Sequence, residues 1–126
     1  MKITSGDGII QVYGLTVVGQ SNNNVFSAGT ISSTYIPNWG NSNIQSYTLS
    51  SSVTNISGGT NIKDGAVYTM ILKQDNVGSR LVNWGSNYKW QSALPPVLTS
   101  TANSTDIITF ISDGTNLYGL IAKDFR

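Results

Sequence analysis

The side chains in this sequence able to do acid–base or metal chemistry are six aspartates: Asp7, Asp64, Asp75, Asp106, Asp113 and Asp124. The chain has no glutamate, no histidine and no cysteine. Without histidine there is no Ser-His-Asp triad, and the commonest general base and the commonest zinc ligand are both missing. Without cysteine as well, structural zinc, a disulfide framework and thiolate chemistry fall away. A glycosidase needs two carboxyl groups converging on one bond. Asp64, Asp75 and Asp113 instead stand beside Gly or Asn, where an aspartate caps its own turn. Asp106 opens a strand after a Thr/Ser/Asn-rich stretch and is expected to cap that loop. The stretches "DNVGS" (75–79) and "DGTN" (113–116) offer one carboxylate each and lack the spacing of a calcium-binding helix-loop-helix. Gly6-Asp7-Gly8 is followed by no Gly-Lys-Ser/Thr, so it is not a phosphate loop. No catalytic residue, metal site or cofactor is expected.

The aromatic residues are the remaining candidates for recognition. Trp39, Trp84 and Trp90 lie in or beside loops, as do Tyr35 and Tyr88. Exposed rings of this kind stack on sugar faces while Asn and Asp read the hydroxyls, which makes Trp39, Trp84, Tyr88 and Trp90 the candidate contacts of a carbohydrate- or receptor-binding module. The competing reading is packing, with Trp84 ending a strand over the edge of the core and Trp90 covering it; buried or half-buried Trp is the commoner outcome.

The elements that must hold these residues are strands. Charged residues are only 10% of the 126, against about 25% in typical domains. Ser, Thr, Asn and Gly are abundant, and this composition favours strands and turns over helices. The seven basic residues are scattered and the net charge is +1, so no stripe for nucleic acid forms. The longest apolar run, "GIIQVYGLTVVG" (8–19), is too short to span a membrane as a helix. Neither nucleic acid nor membrane is expected as a partner.

Residues 8–20 read as one or two strands broken at Gly14, "NVFSAGTI" as a short strand, and "IQSYTLSSSVTNI" (44–56) as one half-buried strand with imperfect alternation. "AVYTMILKQ" (66–74) and "RLVNW" (80–84) read as a hairpin across "DNVGS". In the first of these Val67, Thr69 and Ile71 face one way, and Tyr68, Met70 and Leu72 the other. "GSNYKWQSALPPV" (85–97) cannot be a helix of any length, since Pro95 and Pro96 stop one. Asn38-Trp39-Gly40 and Asn83-Trp84-Gly85 share a triplet, and three residues in so Asn- and Gly-rich a chain are better read as coincidence than as duplication.

The last hairpin, "IITFIS"–"DGTN"–"LYGLIA", is apolar on both faces: Ile108 and Phe110 against Ile107 and Ile111, Leu117 and Ile121 against Tyr118 and Leu120. One face meets the core; the other needs a second layer, a flap of the same chain or another subunit. Ile107, Ile111, Tyr118 and Leu120 are the candidate subunit interface, the alternative being a single thick core. The fold expected is all-β, an antiparallel jelly-roll-like sandwich, with an N-terminal β arm over 1–43 and the sandwich module over 44–126.

The stretch from Gly65 to Phe125 resembles a module at the ends of bacteriophage tail-fibre and other appendage proteins. It shows, in order, a Gly-led strand ending in Leu-x-Gln-Asp (Gly65, Leu72, Gln74, Asp75), a Gly turn (Gly78), and a strand ending in Trp84. A Lys-Trp and Pro loop follows (Lys89, Trp90, Pro95, Pro96), then Asp106, an Asp-Gly-Thr turn (Asp113, Gly114, Thr115) and Tyr118-Gly119. "WQSALPP" departs from the Gly- and Pro-richer loop of that module. The resemblance implies a non-enzymatic structural protein of the virion, a homotrimer of β-sandwich protomers located as capsid decoration, head fibre or tail-fibre tip. Its partners would be its own copies and other capsid or tail components, with the N-terminal segment docking on them. A host-surface glycan is the alternative partner.

Overall fold

The computed structural model describes Gly6 and residues 11–126. Residues 8–10 of the expected first strand lie outside the described residues, and 11–20 form no strand. Nine strands follow: β1 (Val25–Ile31), β2 (Thr34–Tyr35), β3 (Ile44–Leu49), β4 (Val53–Ile56), β5 (Asp64–Gln74), β6 (Leu81–Trp84), β7 (Tyr88–Lys89), β8 (Thr105–Asp113) and β9 (Leu117–Phe125). The one helical turn, Gln91–Ala93, is a single 3-10 turn. The chain is all-β, as its composition implies.

The topology differs from the expected sandwich. Three times the chain lays down a longer strand in one sheet, bends, and lays down a shorter strand in another: β1 then β2, β3 then β4, β5 then β6. The longer strands pair in parallel as β1-β3-β5 and the shorter ones as β2-β4-β6. This is a β-solenoid-like body of three rungs, not a clear antiparallel jelly roll. The antiparallel part is confined to one end, where β8 pairs with β5 and β9 with β8, and β7 lies parallel beside β9. The larger sheet thus runs β1-β3-β5-β8-β9-β7.

Two sequence expectations fail at the corners, for one physical reason. "IQSYTLSSSVTNI" is two strands in two sheets, β3 and β4, and its broken alternation is the corner at Ser50–Ser52. The Ser50 N–H donates to the Ile31 carbonyl at 3.3 Å, and the Ser52 carbonyl accepts from Leu81 N–H at 3.0 Å. The ladder between rungs thus continues through the bend, and the backbone groups there stay paired. Likewise β5 and β6 are not a hairpin. Gln74, buried, closes the bend: its amide donates to the Arg80 carbonyl at 3.0 Å and its carbonyl accepts from Arg80 N–H at 2.8 Å. The Asp75 carboxylate grips the Arg80 guanidinium at 2.7 Å and accepts from the N–H groups of Val77 and Gly78. The chain is turned into the second sheet, where Leu81 pairs with Val53. A Cβ at Gly78 would sit 2.5 Å from the Ser100 carbonyl oxygen, so only glycine admits the 98–104 loop against this corner. These contacts account for the Leu-x-Gln-Asp and Gly signature.

The rungs also dispose of the repeated triplet. Asn83 and Trp84 align with Asn55 and Ile56, and these with Thr34 and Tyr35. The residue equivalent to Trp84 in the first rung is therefore Tyr35, and Asn38-Trp39-Gly40 occupies a different place, bridging at Asn38 to Thr60.

Between the two sheets lies one core. Tyr47, Leu49, Ile56, Met70, Ile108, Phe110 and Leu117 are fully buried. Burial alternates along β3, β5 and β8, and Tyr68, Met70 and Leu72 point inward as their parity predicts.

Candidate functional site

The structure buries two of the four candidate recognition rings, Trp39 and Tyr88, and half-buries Trp84 and Trp90. Trp39 is 3% exposed and stacks on Tyr68 with centroids 4.5 Å apart; Tyr88 is 4% exposed and its hydroxyl donates to the Ser57 carbonyl at 2.9 Å. Burial pushes the Tyr88 phenol well above its usual range. Trp84 and Trp90 are half-buried and meet edge to face at 5.1 Å. Both pack on Phe110, and Tyr88 completes the cluster. Trp84, Tyr88 and Trp90 are thus brought together, and Trp39 stands apart from them. The reason is supply: short strands β6 and β7 need large side chains to close the open end of a two-sheet core, and three aromatic rings provide that area. Trp39 is enclosed, whereas Trp84, Tyr88 and Trp90 border a surface pocket of about 290 Å³ together with Gly85, Lys89 and Pro95. Trp90 also has one side on a second groove.

Glycine shapes that arrangement. A Cβ on Gly119 would fall 2.4 Å from Cζ3 of Trp90. The six-membered part of the indole therefore lies directly on the β9 backbone, and the Tyr-Gly pair of the sequence signature is the seat for Trp90.

The aspartates serve the backbone. Asp106 is buried; its carboxylate accepts from Thr99 N–H at 2.7 Å and from Asp124 N–H at 2.9 Å, tying the 98–104 loop and the end of β9 to the start of β8. Asp113 accepts from the N–H groups of Asn116 and Thr115 and from the Tyr118 hydroxyl. Those backbone donors, with the Tyr118 hydroxyl, hold its carboxyl down at about 2. Asp75 is held at about 2 by the Arg80 guanidinium and the turn N–H groups. Among the described residues no group of three or more His, Cys, Asp or Glu converges to hold a metal.

The features left over for function are a face and a groove. On the outer side of the larger sheet, in register across β5, β8 and β9, run Val67–Ile111–Tyr118, Thr69–Thr109–Leu120 and Ile71–Ile107–Ala122. None is charged. Val67 is 50% exposed, Ile111 55%, Tyr118 47% and Leu120 65%. The structure thus brings together Ile107, Ile111, Tyr118 and Leu120 on one surface, with Ile107 half-buried among them. It adds Val67, whose parity was legible beforehand but whose partner strand was not. Tyr118 is fixed in place by its bond to Asp113, at 2.9 Å.

Beside this face, between β9 and the loop after β7, is a groove of about 570 Å³ lined by Lys89, Trp90, Gln91, Tyr118, Gly119 and Leu120. It continues past Leu94 and Pro96. Sequence reasoning missed it because its two walls are far apart in the chain; the one signal was Gly119 in the Tyr-Gly pair.

No curated protein and no solved structure matches the chain. One family model does, described as "Putative phage tail fibre C-terminal domain", and it covers residues 6–117. That span takes in all three solenoid rungs, the aromatic cluster and β8, a longer stretch than the resemblance from Gly65 onward. The chain belongs to this family of phage tail fibre C-terminal domains, and so to the structural, virion-associated proteins of a bacteriophage.

Proposed function

We propose that the chain is a non-enzymatic part of a tail-fibre tip that works as a homotrimer, its copies meeting through the outer face of the larger sheet. The observation that carries this reading is that face: Val67, Ile111, Tyr118 and Leu120 are exposed side by side, with charge only at its margin, in Asp113 and Lys89 beside Tyr118. An apolar sheet surface of this kind is costly to leave in water and marks a site of association. Closed rotational symmetry lets identical copies cover it. Capsid decoration or a head fibre would use the same trimer at another position in the particle. The segment before β1, part of the 1–43 arm, would dock on capsid or tail components.

Light scattering on the intact chain tests the assembly. A mass of three protomers at micromolar concentration is the expected result, and Ile111→Asp should give a folded monomer. A stable monomer from the unaltered chain would reject the reading. For the arm, a variant lacking residues 1–20 should keep the trimer and lose attachment to particles; unchanged attachment would reject docking.

A second reading, binding of a host-surface glycan, is favoured by the groove, where Trp90 and Tyr118 flank Lys89 and Gln91. With Trp39 enclosed, such a site would rest on Trp90 and Tyr118 in this groove and on Trp84, Tyr88 and Trp90 in the pocket next to it. A glycan array without signal, and Trp fluorescence unmoved by host polysaccharide, would dismiss it.

A further inference from the structure

Val12, Tyr13, Leu15, Val17 and Val18 are all exposed, in a stretch without charge that joins neither sheet. Drawn out as a strand, Tyr13, Leu15 and Val17 would share one face. A run so apolar, packed on nothing in its own protomer, calls for a partner.

A matching vacancy exists on β9. This strand has nine residues, and β7 pairs with its outer edge only at Leu117 and Tyr118. From Gly119 to Phe125, seven residues, no strand among the described residues pairs with that edge. Exposed edges are normally guarded by proline, by bulges or by inward charges. Here Gly119–Ala122 has none of these, and its charges, Lys123 and Asp124, come only near the end. Alongside the unguarded part runs the apolar groove, walled by Trp90 and Leu120 and continuing past Leu94.

We infer that residues Val12–Val18 of a neighbouring copy add as a strand to the free edge of β9, their apolar side chains filling the groove. The lengths agree, at seven residues each. Main-chain hydrogen bonds would supply affinity and the groove would supply specificity, as in other strand additions. The donor is a second copy because of reach. In its own protomer, a strand added outside β9 would lie five strand spacings from β1, roughly 24 Å, and the linker 19–24 spans only roughly 20 Å when fully taut. Its end is also held, since the Ser42 hydroxyl donates to the Asn24 carbonyl. The site is also continuous with the proposed trimer face, since Tyr118 and Leu120 belong to both. The rival edge, β1, has its register shift in mid-strand, between Ser27 and Gly29, whereas that of β9 falls beyond Ala122, past the groove. The inference rests on the oligomeric reading above.

The chain has no cysteine, so crosslinking is clean. Val17→Cys and Ala122→Cys variants of the full chain, distinguished by tags of different mass, are mixed under denaturing conditions, refolded together and treated with a short bismaleimide. The control pair is Val17→Cys with Val53→Cys, which lies on the other sheet. Crosslinked heterodimer is expected on the order of tenfold above the control, because a docked strand raises the local concentration of the two thiols. A double variant, Val17→Cys with Ala122→Cys in one chain, reports the alternative: linkage found only within single chains would overturn exchange between copies. No linkage in an assembly that scatters as a trimer would overturn the strand addition alone. No linkage in a monomer would remove both it and the trimer.

Discussion

The two faces of the larger sheet are built from the same strands and are nearly equally apolar, yet they have opposite fates. Inward, Phe110, Ile108, Met70 and Leu117 are closed off by the second sheet and the aromatic cluster. Outward, one residue along in each strand, Ile111, Val67, Tyr118 and Leu120 keep about half of their surface in solvent. Alternation in a strand explains why neighbours part company; it does not explain why the outer set is apolar. The inner face carries the stability of the protomer, and the outer face is the one proposed to meet a partner.

This contrast is open to attack by substitution. The largest effect is expected for Phe110→Ala, which empties the middle of the aromatic cluster and should cost about 3–5 kcal/mol in urea unfolding followed by Trp fluorescence. A cost under about 1 kcal/mol would mean that the inner face is not the seat of stability. Gly119→Ala should come next, at about 1–3 kcal/mol, because the added methyl drives Trp90 off β9. A red shift in emission before unfolding would report the displaced indole, and an unchanged spectrum would contradict the packing. Asp106→Ala leaves two N–H groups unpaired beside a buried site and should cost about 1–3 kcal/mol. Hydrogen exchange should accelerate at Thr99 and Asp124 first, and uniform exchange would argue against the tie.

The acid dependence is milder. Asp75 and Asp113 titrate near 2 in the folded chain and near 3.9 when unfolded. Their depressed values favour the folded state fully above about pH 4, and that contribution drains away as pH falls toward 2. The urea midpoint should be level from about pH 7 to 5 and then fall. A variant with Asp75→Asn and Asp113→Asn should show a shallower fall, and an identical slope would count against these two carboxylates. The smallest change is expected on the outer face: Ile111→Thr should alter protomer stability by less than about 0.5 kcal/mol, measured at concentrations where only monomer is present. A loss comparable to that of Phe110→Ala would erase the distinction between the faces.

Much of this was readable from the residues in order. Parity along β5, β8 and β9 follows from side-chain alternation, which is local, so Tyr68, Met70, Leu72, Ile108 and Phe110 could be assigned inward and Ile111 and Tyr118 outward. The terminal β8–β9 hairpin was likewise legible, because an Asp-Gly turn between apolar runs is a short-range signal. The family signature could be seen as well, although its physical content (Gln74 and Asp75 holding Arg80, Gly119 seating Trp90) could not. The corner at 75–80 shows the limit. An Asp-Asn-Val-Gly-Ser stretch is as suitable for a hairpin as for a bend into another sheet, and what decides is the pairing of Leu81 with Val53 and of β5 with β3.

The sequence by itself determined that the chain is all-β, that it lacks histidine, cysteine and glutamate chemistry, and which side chains in its long strands share a face. Only the tertiary structure decided that the strands stack as parallel rungs, that Trp39 and Tyr88 are buried, and that a groove opens beside β9. Composition and alternation act over a few residues. Parallel pairing and the closure of a core join segments 18 or more residues apart, and no local preference selects among the ways of joining them.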